Sequence, residues 1–169
     1  MSDVIVLDNF LPESEFLRIN KKFCDMDHYD PEKLPWFPGL TLKESDKLSH
    51  SICDRKDNIH FVHQFIPDLP LIEKINIKSC VRIKANLTMR TSEIVKHGFH
   101  VDDIDAEFFK EYKISIFYVN SNDGYTEFED GTKIESVSNR LVTFPNNMKH
   151  RGTTCTNKPF RIVINFNYF

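Results

Sequence analysis

The residues with the clearest capacity for chemistry are His100, Asp102, His150 and Arg161. In a strand, residues i and i+2 point to the same face, so His100 and Asp102 of His100-Val101-Asp102 could grip one metal ion together. Alone the triplet says little, because seven His and 14 Asp make about 0.6 such triplets expected by chance. A second copy, His28-Tyr29-Asp30, precedes Pro31 in a polar stretch and reads as surface loop. What sets His100 and Asp102 apart is the sequence after them. Phe144-Pro145-Asn146-Asn147-Met148-Lys149-His150 brings a third ligand to a strand edge, and Phe160–Phe166 carries a lone Arg161 among apolar residues. Two His and one carboxylate leave three positions of an Fe(II) octahedron open. A 2-oxo acid can chelate through two of them and leave one for dioxygen. The distal carboxylate of that acid needs a cation in a dry pocket, and a guanidinium provides a permanent charge on a planar fork. By alternation Arg161 shares a face with Val163 and Asn165, while Phe160, Ile162, Ile164 and Phe166 fill the other.

Several elements must position these groups. Val81, Ile83, Ala85 and Leu87 alternate with Arg82, Lys84, Asn86 and Thr88, a period of two that predicts a strand with one apolar face. Tyr112–Asn120 (YKISIFYVN), Tyr125–Glu129, Thr132–Val137, Arg140–Phe144 and Phe160–Tyr168 follow with the same β-branched and aromatic bias. Asp123-Gly124 and Asp130-Gly131 lie between strands, where a tight hairpin needs positive φ. Strands at such spacings predict a sandwich or barrel in the C-terminal half. Towards the N-terminus, Val4–Leu7 reads as a strand and Pro12-Glu13-Ser14-Glu15 as a helix start. Phe16, Ile19 and Phe23 give that helix one apolar stripe, and Leu71–Ile77 reads as a second, short helix. Residues 25–70, with five prolines, predict loops and short strands.

The 169 residues suit a single domain, and the charge balance of 22 Lys+Arg against 25 Asp+Glu offers no general attraction for nucleic acid or anionic lipid. No apolar run approaches the ~18 residues of a membrane span, and the first residues lack the pattern of an export signal. Cys24, Cys53, Cys80 and Cys155 form no C-x-x-C pair, as expected for reduced thiols in a cytoplasmic protein.

Taken in order, His100-Val101-Asp102, His150 and Arg161 resemble the motif of the 2-oxoglutarate/Fe(II)-dependent dioxygenases, in their prolyl 4-hydroxylase-like branch. The opening VIVLDNFLPESEF resembles that family's first strand and helix. The resemblance implies a mainly β domain with N-terminal helices, a double-stranded β-helix or distorted jelly roll. Residues 1–80 would be its helical and loop support region and residues 81–169 its core. It implies His100, Asp102 and His150 as catalytic iron ligands, and Arg161 with Tyr118 as the hold on 2-oxoglutarate. Fe(II), 2-oxoglutarate and O2 would be required, with ascorbate as a candidate reductant. The implied reaction hydroxylates a C–H bond, of a peptidyl proline or of a free amino acid or other small molecule, with succinate and CO2 as co-products. Many prolyl 4-hydroxylases carry Lys at the position of Arg161, and the Tyr often found on the strand before the H-x-D is absent from Arg82–Thr91; Asn86 is the substitute in reach. His97 lies on the opposite parity, which predicts a surface or supporting position, and so does Asp103. A non-catalytic jelly-roll binding module is the alternative. A cupin is disfavoured by the want of further His and of a Gly-rich motif, and nucleic-acid demethylation by Asn167 where that branch has a second Arg. Substrate choice is expected from loops 25–70 and 103–111.

Overall fold

The computed structural model describes residues 3–25, 37–38, 47–54, 70–102 and 112–169; for 37–38 and 47–54 only the strand pairing is described. His28, His60, His63, Asp103 and Asp105 lie outside the described residues, as do most of the two loops assigned to substrate choice.

The chain forms β1 (Ile5–Leu7), α1 (Glu13–Cys24), β2 (Phe37–Pro38), β3 (Lys47–Asp54), α2 (Pro70–Ile75), β4 (Cys80–Met89), β5 (Lys113–Tyr118), β6 (Tyr125–Phe128), β7 (Lys133–Glu135), β8 (Arg140–Pro145), β9 (His150–Gly152) and β10 (Phe160–Tyr168). The large sheet runs β1-β8-β5-β10-β4-β3-β2 and the small one β7-β6-β9, antiparallel throughout. The segment 95–100 lies along β9 through the bridges Lys96↔Thr153 and His100↔His150, so the small sheet gains a fourth member there. From β4 onward the chain passes repeatedly between the two sheets, as in a jelly roll. The fold is mainly β with few helices, in a double-stranded β-helix arrangement. The first 80 residues do more than cover it: β1 extends the large sheet from β8, and β2 with β3 extend it from β4.

Local sequence explains the elements. Pro12 occupies the N-cap of α1 with extended backbone, and its carbonyl accepts from the amides of Glu15 and Phe16. Glu13 and Glu15 in the first turn and Lys21 and Lys22 in the last suit the helix dipole. Phe16, Ile19 and Phe23 are buried as their spacing predicts. They meet Leu71 of α2 and the outer face of the large sheet, where Ile83, Ala85, Leu87, Phe117, Val119, Ile162, Ile164 and Phe166 converge. Asn139, at φ 62° and buried, uses its side-chain amide as a substitute strand edge: Oδ1 accepts from the Leu11 amide and Nδ2 donates to the Leu11 carbonyl. A second core fills the space between the sheets, from Ile114, Ile116, Tyr118, Phe128, Val142, Phe144 and Val163.

The two Gly turn signals part company. Gly131 has φ +87°, as a tight β6–β7 connection requires. Gly124 does not have positive φ; it is needed because a Cβ there would come within 2.6 Å of the Thr154 carbonyl and 2.8 Å of Arg161 Cδ. Cys24, Cys80 and Cys155 are free thiols. Burial pushes Cys24 up to about 11, which leaves it unreactive.

Candidate metal centre

His100 and His150 face each other across an antiparallel pair: the amide of each donates to the carbonyl of the other, at 3.0 and 2.9 Å. Directly paired residues share a face, and the two rings stand 4.7 Å apart. Asp102 joins them. The expected H-x-D strand proves to be a single bridge at His100 rather than a regular strand. The same-face outcome nevertheless holds, since ligand atoms from His100, Asp102 and His150 all lie within 4.8 Å of one another. The Tyr112 hydroxyl donates to the Asp102 carbonyl and fixes the chain at that point.

Each imidazole is set for coordination. Nδ1 of His100 is 3.2 Å from the Gly98 carbonyl and Nδ1 of His150 is 3.1 Å from the Met148 carbonyl. A carbonyl only accepts, so each Nδ1 carries a proton, which leaves Nε2 as the ring nitrogen available to a metal. Burial lowers the pKa of His150 and keeps it in the neutral form. Burial alone would raise Asp102. The guanidinium of Arg82, the amide of Asn167 and the two imidazoles outweigh it and hold the carboxyl below its ordinary range, ionised and ready to ligate. Two imidazoles and a carboxylate are a donor set that fits a first-row divalent ion such as Fe(II).

Arg161 extends from β10 into the space between the sheets and is only 4% exposed. Its Nε donates to Ser136 Oγ at 2.8 Å and its Nη2 to Thr126 Oγ1 at 3.2 Å. Tyr118 lies beside it, the guanidinium 5.6 Å from the ring centre, and donates its hydroxyl to the same Thr126 oxygen at 2.7 Å. Burial raises the Tyr118 phenol, so it stays a protonated donor. Among the described residues no carboxylate pairs with Arg161. A buried cation solvated by hydroxyls alone is unfavourable unless an anion joins it, so Arg161 is suited to a carboxylate ligand. Gly152, two residues after His150, lies close to this group: a Cβ there would make ordinary contacts of 3.5 Å with Arg161 Nη1 and 3.8 Å with His97 Nδ1.

The structure thus brings together His100, Asp102 and His150 as one cluster and Arg161 with Tyr118 as another. His97 is not part of the metal cluster, yet its Nδ1 and Arg161 Nη1 both lie within 4 Å of where a Cβ on Gly152 would stand. The reason is a register shift: the bridges at Lys96–Thr153 and His100–His150 are four residues apart on one strand and three on the other, which breaks the parity count. Asn86 sits opposite Val163 on the interior side, as its alternation with Ala85 requires. Sequence reasoning missed Arg82, Asn167, Ser136 and Thr126 as partners of the two clusters. The signal available was inward parity: Arg82 and Asn167 are cross-strand partners on the face opposite Ile83 and Phe166.

A double-stranded β-helix with a 2-His-1-carboxylate cluster between its sheets is the class this geometry defines. Solved structures share the fold. A prolyl hydroxylase from Trichoplax adhaerens, solved with a hypoxia inducible factor peptide, superposes with a TM-score of 0.67 at 13% identity over 99% of this chain and 83% of its own. A viral collagen prolyl hydroxylase from Paramecium Bursaria Chlorella virus-1, solved with 2-oxoglutarate, gives 0.58 at 14% identity over 97% and 94%. HygX from Streptomyces hygroscopicus, solved with nickel and 2-oxoglutarate, gives 0.58 at 10% identity over 98% and 82%. No family model matches the sequence, and no curated protein matches it either.

Proposed function

We propose that this protein is a non-haem Fe(II) and 2-oxoglutarate-dependent dioxygenase that hydroxylates a C–H bond and releases succinate and CO2. The observation that carries the reading is the pairing of two groups on the inner side of the sheets: a His, His, carboxylate cluster, and a buried Arg161 whose side-chain partners among the described residues are hydroxyls. His100, Asp102 and His150 hold the metal; Arg161 and Tyr118 bind the distal carboxylate of the co-substrate. The iron, when bound, supplies the activation of O2 that no side chain can. The protein's own contribution is to orient the chelating acid and to shield the reaction from water, with Ile116, Val142, Phe144 and Val163 as the dry wall. A peptidyl prolyl substrate is the reading favoured by likeness to two prolyl hydroxylases.

Anaerobic titration of metal-free protein with Fe(II) and then 2-oxoglutarate tests the reading. A visible charge-transfer band of a chelated 2-oxo acid is expected in the parent protein and absent from His100→Ala and Asp102→Ala. A folded parent protein that gives no band would sink it and leave a non-catalytic module. For the prolyl substrate, mass spectrometry of proline-containing peptides after aerobic turnover should show one added oxygen on Pro; succinate release with other substrates but never with these would reassign the substrate alone.

A further inference from the structure

We infer that Arg82 and Asn167 form a clamp that holds Asp102 as a one-oxygen metal ligand and so preserves the third open coordination position; this rests on the function proposed above. The two oxygens of Asp102 are treated differently. Oδ2 accepts from Asn167 Nδ2 at 2.9 Å and faces Arg82 Nη2 at 3.3 Å. Oδ1 is turned the other way, 3.7 Å from Nε2 of His100, towards the cluster. The clamp residues come from adjacent strands, Asn167 of β10 directly opposite Arg82 of β4, and the Tyr112 hydroxyl holds the main chain of the ligand they grip.

A carboxylate turns about its Cβ–Cγ bond and can offer a metal one oxygen or two. With both oxygens bound, two His and Asp102 would fill four of six positions. A chelating 2-oxo acid would take the remaining two, and none would be left for O2. Swinging Oδ2 onto the metal here means giving up two charge-assisted contacts at once. The guanidinium also offsets the carboxylate charge, which reduces the pull of the site on a divalent ion and favours entry of the anionic co-substrate. A purely structural role is a poor account of the pair. Arg82 Nε and Asn167 Oδ1 are both buried with no hydrogen-bond partner among the described residues, a burden that apolar residues of similar size would avoid. The pair is retained at the single carboxylate where orientation decides how many positions stay free.

The test compares Arg82→Met, Asn167→Leu and the conservative Arg82→Lys with the parent protein in two equilibrium measurements. Mn(II) affinity without co-substrate is read by EPR, and 2-oxoglutarate affinity by the anaerobic Fe(II) charge-transfer band. Freed to chelate, Asp102 should bind Mn(II) several-fold more tightly while 2-oxoglutarate binds about tenfold more weakly, with Arg82→Lys nearer the parent on both counts. Opposite signs are the signature of the clamp. Affinities that both stay unchanged, or that both fall together with Tm, would overturn it and make the pair neutral or structural support. A parent protein that binds metal and co-substrate while its variants do not respond sinks the clamp alone. One that binds neither sinks the proposed function and the clamp with it.

Discussion

The large sheet presents two unlike faces. Towards the helices, Ile83, Ala85 and Leu87 of β4, Phe117 of β5 and Ile162, Ile164 and Phe166 of β10 make an apolar surface without a charge. Towards the small sheet, the same strands divide. β5 and β8 are mostly apolar there, with Ile114, Ile116, Val142 and Phe144, and end on Tyr118 opposite Arg140. β4 and β10 turn polar, with Thr88 opposite Arg161, Asn86 opposite Val163, Lys84 opposite Asn165 and Arg82 opposite Asn167. The difference teaches that stability and chemistry are sorted residue by residue along one strand. Neighbours such as Arg161 and Ile162 belong to separate tasks, so substitutions one position apart should differ in kind rather than in degree.

The widest separation is expected between Phe117 and Arg161. Phe117 is fully buried against α1, its ring 6.5 Å from that of Phe16. Phe117→Ala should destabilise the protein by ~3–5 kcal/mol, because lost burial adds to the cavity left behind, while the folded fraction keeps the co-substrate affinity of the parent. Chemical denaturation with a parallel binding titration checks both. Arg161→Leu should do the reverse. Co-substrate affinity should fall about 100-fold, equivalent to ~2.7 kcal/mol, with stability unchanged or raised because a buried cation that no carboxylate of the described residues pairs has been removed. If Arg161→Leu unfolds the protein, the two faces are not separable in the way described.

How far the sequence alone could be read follows the same division. The alternation of Val81–Thr88 and of Phe160–Asn167 is strong because one face is uniformly apolar, and both strands fall where the pattern puts them. The cluster of His100, Asp102 and His150 was legible because His100 and Asp102 share parity and His150 precedes Arg161 at a strand edge. The rest needed contacts that no local pattern encodes. Ser136 and Thr126 reach Arg161 from 25 and 35 residues away, and Asn167 reaches Asp102 across 65. Gly124 imitates a turn signal while in fact making room for Arg161, and a one-residue register shift brings His97 beside Gly152. Parity counts assume an unbroken ladder, and functional segments are where ladders break.

Gly124 and His150 sharpen the comparison at intermediate size. Gly124→Ala adds one methyl against the Thr154 carbonyl and Arg161 Cδ. It should destabilise by ~1–3 kcal/mol through overpacking and weaken co-substrate binding as well, because Arg161 must shift along with the Thr154 backbone. Equal stability with unchanged binding would mean that the loop yields instead. For His150, burial lowers the folded pKa below the ordinary 6.5. Below that value the unfolded chain binds a proton that the folded site resists, so metal-free protein should lose stability as pH falls from about 6.5, at no more than ~1.4 kcal/mol per pH unit. His150→Gln should flatten that slope in denaturation curves taken between pH 7 and 5.

The smallest effect belongs to an exposed contact at the start of β8, where Arg140 stands opposite Tyr118. Arg140 at the start of β8 donates Nε and Nη2 to the two carboxylate oxygens of Asp8, at 2.6 and 3.0 Å, tying the segment after β1 to the sheet. The hydrogen bond from Arg140 holds Asp8 below its usual carboxylate range. Asp8 is nevertheless more than half exposed, so solvent and salt screen the pair despite its two-pronged geometry. Asp8→Asn should therefore cost ~0.2–1 kcal/mol at low salt and less at high salt. The Asp8 contribution is present above the unfolded carboxylate value and disappears as pH falls through the lowered folded one, a more acidic window than that of His150. Denaturation of Asp8→Asn at two salt concentrations measures this directly. A loss several times larger would show that the pair fixes β1 onto β8, and that the edge of the large sheet depends on charge where its faces depend on packing.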